Sequence, residues 1–217
     1  MSRRRVAVAA ALLTAVLARG AAAESQHLSY TVYFGYLPAL SVATTVERGD
    51  GAYRVEAEVV PQGWISWAIP WTAKSAASGR LGGGNAVTPQ RYLSAASWST
   101  RSRQTTLEFG NDGTIKTTVE PPRTEDGREP VPDAMLKGSL DPVSAVAAML
   151  GAARAGGPGC APDLPVFDGR RRFDIHSERR PDGTLAPATY SAYAGPTVVC
   201  QLHFRSLAGG YRNGERS

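Results

Sequence analysis

The sequence is poor in the residues that usually announce chemistry. Two cysteines and three histidines are spread over 217 residues. No segment reads G-x-S-x-G, G-x-x-x-x-G-K-S/T or H-E-x-x-H, which excludes the nucleophile elbow, the phosphate-cradling loop and the zinc-protease helix as those motifs are written. Gly82-Gly83-Gly84 is followed by Asn85 and reads as a hairpin turn. A C-x-x-C pair is missing too, so a dithiol redox centre is not expected. His27, His176 and His203 lie far apart along the chain and read as solvated or structural. The expectation is no metal, no cofactor and no enzyme. A hydrolase-type centre, the least favoured alternative, would require His176 or His203 to meet a carboxylate such as Asp174 in space.

Long apolar runs are also lacking. The most apolar stretch, Val6–Leu17, has about twelve residues, short of the roughly twenty a helix needs to cross a bilayer. It follows Arg3-Arg4-Arg5 and leads to Ala21-Ala22-Ala23, the order of a secretory signal peptide, with small residues at Ala21 and Ala23 and cleavage before Glu24. No cysteine follows the run, so a lipoprotein anchor is not expected. Residues 1–23 are thus read as a signal peptide and 24–217 as a single β-rich periplasmic domain without a stable membrane anchor.

Charge of one sign is scarce once the signal is removed. The formal net charge is +5, and four of the cations, Arg3, Arg4, Arg5 and Arg19, leave with the signal, so the mature chain carries about +1. A near-neutral chain argues against general nucleic-acid binding. The two cysteines, Cys160 and Cys200, are predicted to pair in an oxidising compartment.

What the sequence does have is alternation. Leu28, Tyr30, Val32 and Phe34 fall on one side of an extended chain, Leu40 to Val46 repeats the pattern, and Gly49-Asp50-Gly51 supplies a tight turn before Tyr53 to Val59. Strands are predicted again over 72–81 and from Arg91 to Trp98, and Asn111-Asp112-Gly113 joins 103–109 to 114–119 as a hairpin. Pro121–Pro132 reads as an extended surface connector. One helix is predicted after it, capped by Asp141, with Pro142 in its first turn, Val143, Val146, Ala147 and Leu150 at helical spacing, and Gly156-Gly157 as its end. Further strands surround turns at Asp168-Gly169 and Pro181-Asp182-Gly183. The fold class is mainly β, or β-rich α+β: a curved antiparallel sheet or incomplete barrel with one packed helix.

Two segments are candidate sites. Trp64, Ile65, Trp67, Ile69 and Trp71 concentrate three of the four tryptophans, either as a plug closing one end of the sheet or as the mouth of an apolar cavity or a surface for lipid or a partner. Asp168, Arg170 and Arg172 form the second: guanidiniums alternating onto one face hold an anionic group or a partner, or pair with Asp168 and Asp174 at a hairpin tip.

The order of several motifs resembles an exported bacterial family, domain-of-unknown-function family 3108. They are Tyr30-Thr31-Val32-Tyr33-Phe34-Gly35, Gly63-Trp64 through Pro70, Ser78-Gly79-Arg80-Leu81, Leu140-Asp141-Pro142-Val143-Ser144-Ala145, and Pro165 through Asp174. The resemblance implies curved sheets with an associated helix, distantly like the periplasmic lipoprotein-carrier fold, and supplies no catalytic residues. It also implies further strands beyond Leu207–Arg212, so the chain is expected to lack closing C-terminal strands and to expose a sheet edge. The function expected is a non-enzymatic periplasmic module binding an apolar or amphipathic envelope molecule, such as a lipid, between sheet and helix. The alternative is a structural or protein-interaction module of the envelope.

Overall fold

The computed structural model describes residues 24–83, 86–122, 127–153, 159–189, 191 and 193–211. The signal-peptide reading of 1–23, the Gly84-Asn85 end of a predicted turn, the Gly156-Gly157 helix stop and Arg212 fall outside those residues.

Seven strands form one antiparallel meander in chain order: β1 (Glu24–Phe34), β2 (Leu37–Gly49), β3 (Ala52–Pro61), β4 (Trp71–Leu81), β5 (Val87–Trp98), β6 (Arg101–Phe109) and β7 (Ile115–Glu120). The turns explain the order. Gly35, at φ 61°, opens the two-residue turn between β1 and β2, and Asp50 and Gly51, both at positive φ, make the turn between β2 and β3. A short helix, α1 (Gly63–Ala68), interrupts the passage from β3 to β4. The main helix, α2 (Pro142–Ala152), is followed by a second antiparallel sheet of β8 (Leu164–Phe167), β9 (Arg172–Leu185) and β10 (Gly195–Ala208), with β9 central. The predicted β-rich class with a packed helix is what forms, in two sheets that do not close into a barrel among the described residues.

Register places one row of side chains across the large sheet: Val46, Val55, Ala77, Tyr92 and Leu107 are successive cross-strand partners. With Tyr53, Val131, Leu136, Ala147 and Phe167 they make the larger core. A smaller core of Ala145, Ala152, Ala161, Leu164, Val166 and Ile175 lies between α2 and the second sheet.

The helix therefore packs on two sides, and of the four residues at helical spacing Val143 and Ala147 pack on the larger core. Ala147 meets the large sheet while Ala145 and Ala152 meet the small one, and Val146 and Leu150 remain half exposed. Small residues turn inward because bulky Tyr53, Tyr92 and Leu107 already fill the sheet side. Gly79 serves the same packing: a Cβ there would stand 2.8 Å from the Tyr53 ring.

A buried polar chain fixes the start of α2. Asp141 Oδ1 accepts from the Val143 and Ser144 amides at 3.0 and 2.8 Å, as an N-cap should. Ser144 Oγ donates to Asp141 Oδ2 at 2.5 Å, so its single proton is committed and the Tyr53 hydroxyl donates to Ser144 Oγ at 2.6 Å. Burial pushes the Asp141 carboxyl above its usual range, against the opposing pull of its hydrogen bonds from Ser144 and Val143. Burial likewise raises Tyr53 and Tyr92.

Three other expectations are revised. Pro181-Asp182-Gly183 does not turn the chain; Pro181 and Asp182 together oppose Val198 between the pairs Arg180–Val199 and Gly183–Thr197, a bulge within β9 and β10. The Pro121–Pro132 connector is not confined to the surface, since Val131 belongs to the larger core. It is also tied to the end of β10, through the Glu129 amide to the Gly210 carbonyl at 2.8 Å and the Arg128 side chain, whose Nη1 donates to the Gly209 carbonyl at 3.0 Å. A second helix, α1, forms where none was predicted. Cys160 and Cys200 are bonded, with Cα atoms 5.8 Å apart and a sequence separation of 40, which joins the segment after α2 to β10 and contributes about 4 kcal/mol in the chain-entropy view.

Candidate binding surface at the uncovered end of the sheet

The helix covers only part of the large sheet. A complete row, Ser29, Ala43, Glu58, Lys74, Ala95, Gln104 and Glu120, crosses all seven strands. Beyond it, toward the end that carries the β1–β2 turn, α1 and the β5–β6 turn, lie residues 30–42, 59–73 and 96–103. These three segments contain no Asp, Glu or Lys; their charges are Arg101 and Arg103.

On the face that α2 occupies further along, the first row of this end is Tyr30, Val42, Val59, Ala73 and Ala96, finishing at Arg103. Five strand spacings make that stripe about 24 Å long. The Arg103 guanidinium lies 5.8 Å from the Trp98 ring centre, and Trp98 is cross-strand partner to Trp71. Among the described residues no acceptor is within hydrogen-bond reach of the buried Trp71 Nε1.

The tip itself is aromatic and open. Tyr36 is 99 % exposed, Trp67 89 %, Phe34 77 % and Trp64 57 %. The segment from Trp64 to Trp71 is thus not a buried plug: Ile65 and Trp71 are half-buried, while Trp64, Trp67 and Ile69 face outward. Its anchorage is local. Gly63, at φ 58°, starts α1 beside Pro38, the Gln62 amide bonds the Ala39 carbonyl at 2.7 Å, and Ser66 Oγ returns to the Gly63 carbonyl at 2.7 Å. Six residues holding two tryptophans bury no side chain fully, so the exposed ring area is large for one short element.

The space between sheet and α2, where a ligand cavity was expected, is filled by Tyr53, Tyr92, Leu107 and Ala147. A trough of about 390 Å³ does occur on the opposite face, but Glu56, Glu58, Lys74 and Gln104 are among the residues lining it, and Lys74 pairs with Glu58 at 3.0 Å.

Asp168, Arg170 and Arg172 do not form the exposed anion site that their spacing suggests. Asp168 Oδ1 accepts from the Arg170 and Arg171 amides at 2.9 and 2.7 Å, closing the turn between β8 and β9. The Arg170 side chain is buried and donates to the Pro121 carbonyl at 2.9 Å. Buried Arg172 donates to the Met135 and Phe173 carbonyls and pairs with Asp174 at 2.7 Å. Both guanidiniums are spent on the protein's own backbone, and it is Arg171 that faces solvent, paired with Asp168.

Two of the three histidines converge, though not on Asp174, while His27 lies on β1 with its Nδ1 3.1 Å from Thr45 Oγ1. His176 and His203 are cross-strand partners on β9 and β10 with ring centres 6.2 Å apart. His176 Nδ1 is 2.5 Å from Asp163, and Glu178 stands 3.9 Å from the Nε2 atoms of both rings. The cluster is exposed on an open strand face. Among the described residues no group of three His, Cys, Asp or Glu side chains is placed to hold a metal ion.

No match was found among curated proteins or among solved structures. A family model described as "Protein of unknown function (DUF3108)" matches residues 29–216, which takes in every strand from β2 to β10, both helices and most of β1. The chain belongs to this DUF3108 family.

Proposed function

We propose that the protein is a non-enzymatic, exported envelope module that binds an apolar or amphipathic molecule at the uncovered end of its large sheet. The single observation that carries this reading is the aromatic tip: Phe34, Tyr36, Trp64 and Trp67 stand exposed on two neighbouring elements, at the end of an apolar stripe. Exposed aromatic surface of that extent costs solubility and is kept where something covers it. The stripe from Tyr30 to Ala96 suits an extended hydrocarbon chain, and Arg103 at its end suits an acidic head group. Export is supported by the signal-like residues 1–23 and by the Cys160–Cys200 bond, which belongs in an oxidising compartment such as the periplasm.

The test is uptake of a monomeric single-chain amphiphile, below its micelle concentration, by the protein beginning at Glu24. Native mass spectrometry should show a one-to-one adduct at micromolar concentration, and Val59→Asp together with Ala73→Asp should abolish it. A folded, disulfide-bonded protein with no adduct would overturn the reading.

A further inference from the structure

We infer that the aromatic tip docks onto the surface of an anionic lipid bilayer. The inference rests on the proposed amphiphile-binding function and names where the amphipathic molecule is met. Three separate pieces of chain reach the same end of the sheet: the β1–β2 turn with Phe34, Tyr36 and Leu37, α1 with Trp64 and Trp67, and the β5–β6 turn with Trp98 and Arg101. From the first hairpin to the third is four strand spacings, about 19 Å, with α1 joining β3 to β4 between them. That is a broad rim of rings and not a groove shaped for one small molecule.

The chemistry of the rim selects the occupant. Tryptophan and tyrosine combine an apolar body with a polar edge and settle at the level of lipid head groups. Arg101 and Arg103 are the charges of residues 30–42, 59–73 and 96–103, with no acidic residue among them, so these segments attract an anionic surface and contain nothing that repels it. The ion pair Lys74–Glu58 lies on the next row behind the stripe, with its side chains on the opposite face, where charge returns to both signs. Among the described residues no helix is long and apolar enough to cross a membrane, which leaves α1 to lie in the interface, with Trp67 as its most exposed ring. The amphipath-binding stripe begins one row inside this rim, so docking would bring the bilayer surface to the mouth of the site.

The experiment is co-sedimentation of the protein from Glu24 onward with phosphatidylglycerol vesicles and, in parallel, with phosphatidylcholine vesicles, alongside uptake of the monomeric amphiphile. The expected result is binding to the anionic vesicles that weakens with added salt, with a blue shift of tryptophan emission. Trp64→Ser with Trp67→Ser should lower vesicle binding at least tenfold, and Arg101→Ala with Arg103→Ala should lower it roughly 25-fold at low salt, about fivefold per charge. Circular dichroism and the reduced-versus-oxidised mass establish that each variant is folded. No binding to either vesicle by a protein that still takes up the amphiphile overturns the docking inference and spares the binding reading. Loss of both overturns both. Vesicle binding unchanged in the double tryptophan variant, or a specific envelope protein crosslinked through Trp67 without any vesicle binding, also overturns the inference.

Discussion

The two ends of the large sheet are made of the same strands and have opposite fates. Near the β2–β3 turn, Val46, Val55, Ala77, Tyr92 and Leu107 are all buried under α2, Val131, Leu136 and Phe167. Four residues further along those strands, Val42, Val59, Ala73 and Ala96 form an equally apolar row that is only half-buried. Strand propensity does not separate the halves. The difference lies in the helix that comes after the meander: α2 packs on β3, β4 and β5 beside the Val46–Leu107 row and does not cover the row at Val42–Ala96. The open row is therefore set by where α2 lies and not by the composition of the strands.

The comparison can be broken most strongly from its covered side. Leu107→Ala removes a fully buried side chain in the middle of the packed row and should cost about 3 kcal/mol, read as a lowered urea midpoint. A loss below about 1 kcal/mol would mean that the row under the helix is not a well-packed core.

The next effect concerns the anchor of α2. Because burial raises Asp141 above its unfolded value near 3.8, the native state holds that proton more tightly than the unfolded chain. Its contribution is then greatest below the ordinary carboxylate range and declines as pH rises through the raised pKa. Asp141→Asn removes this titration. The stability of the variant relative to the parent should climb as pH increases across that window, and a difference independent of pH would refute the assignment.

The smallest effect is expected on the open side. Trp67→Ser should change folding stability by less than about 0.5 kcal/mol, since the ring contributes little to the interior. A substantial loss would show that the tip is structural, which would erase the contrast between the two ends.

Much of the architecture was legible because alternation and turn residues act locally. Gly49-Asp50-Gly51 and Asn111-Asp112-Gly113 marked their hairpins, and Asp141-Pro142 marked the start of α2. The features that were not legible depended on partners distant in sequence. The inward face of α2 could not be chosen between Ala147 and Val146 without knowing that a second sheet lay behind it. Arg170 and Arg172 looked like surface cations, yet the carbonyls of Pro121 and Met135 give them interior partners. The meeting of His176 with His203 depends on a strand register that nothing local announces. For α1, the sequence offered no side-chain cap at Gln62, and its tryptophans suggested burial where the fold leaves them outside.

The stitching of the proline-rich connector has a consequence for how the molecule comes apart. A segment with that composition is ordinarily where a protease separates one folding unit from the next. Here one side of it is held at Pro121 by Arg170, and the other at Arg128 and Glu129 by the end of β10, with the Arg128 guanidinium 4.0 Å from the Tyr211 ring centre. A cut in that stretch would leave its two ends fastened to the second sheet. The nicked chain is therefore expected to remain one particle and to lose both sheets in a single cooperative step.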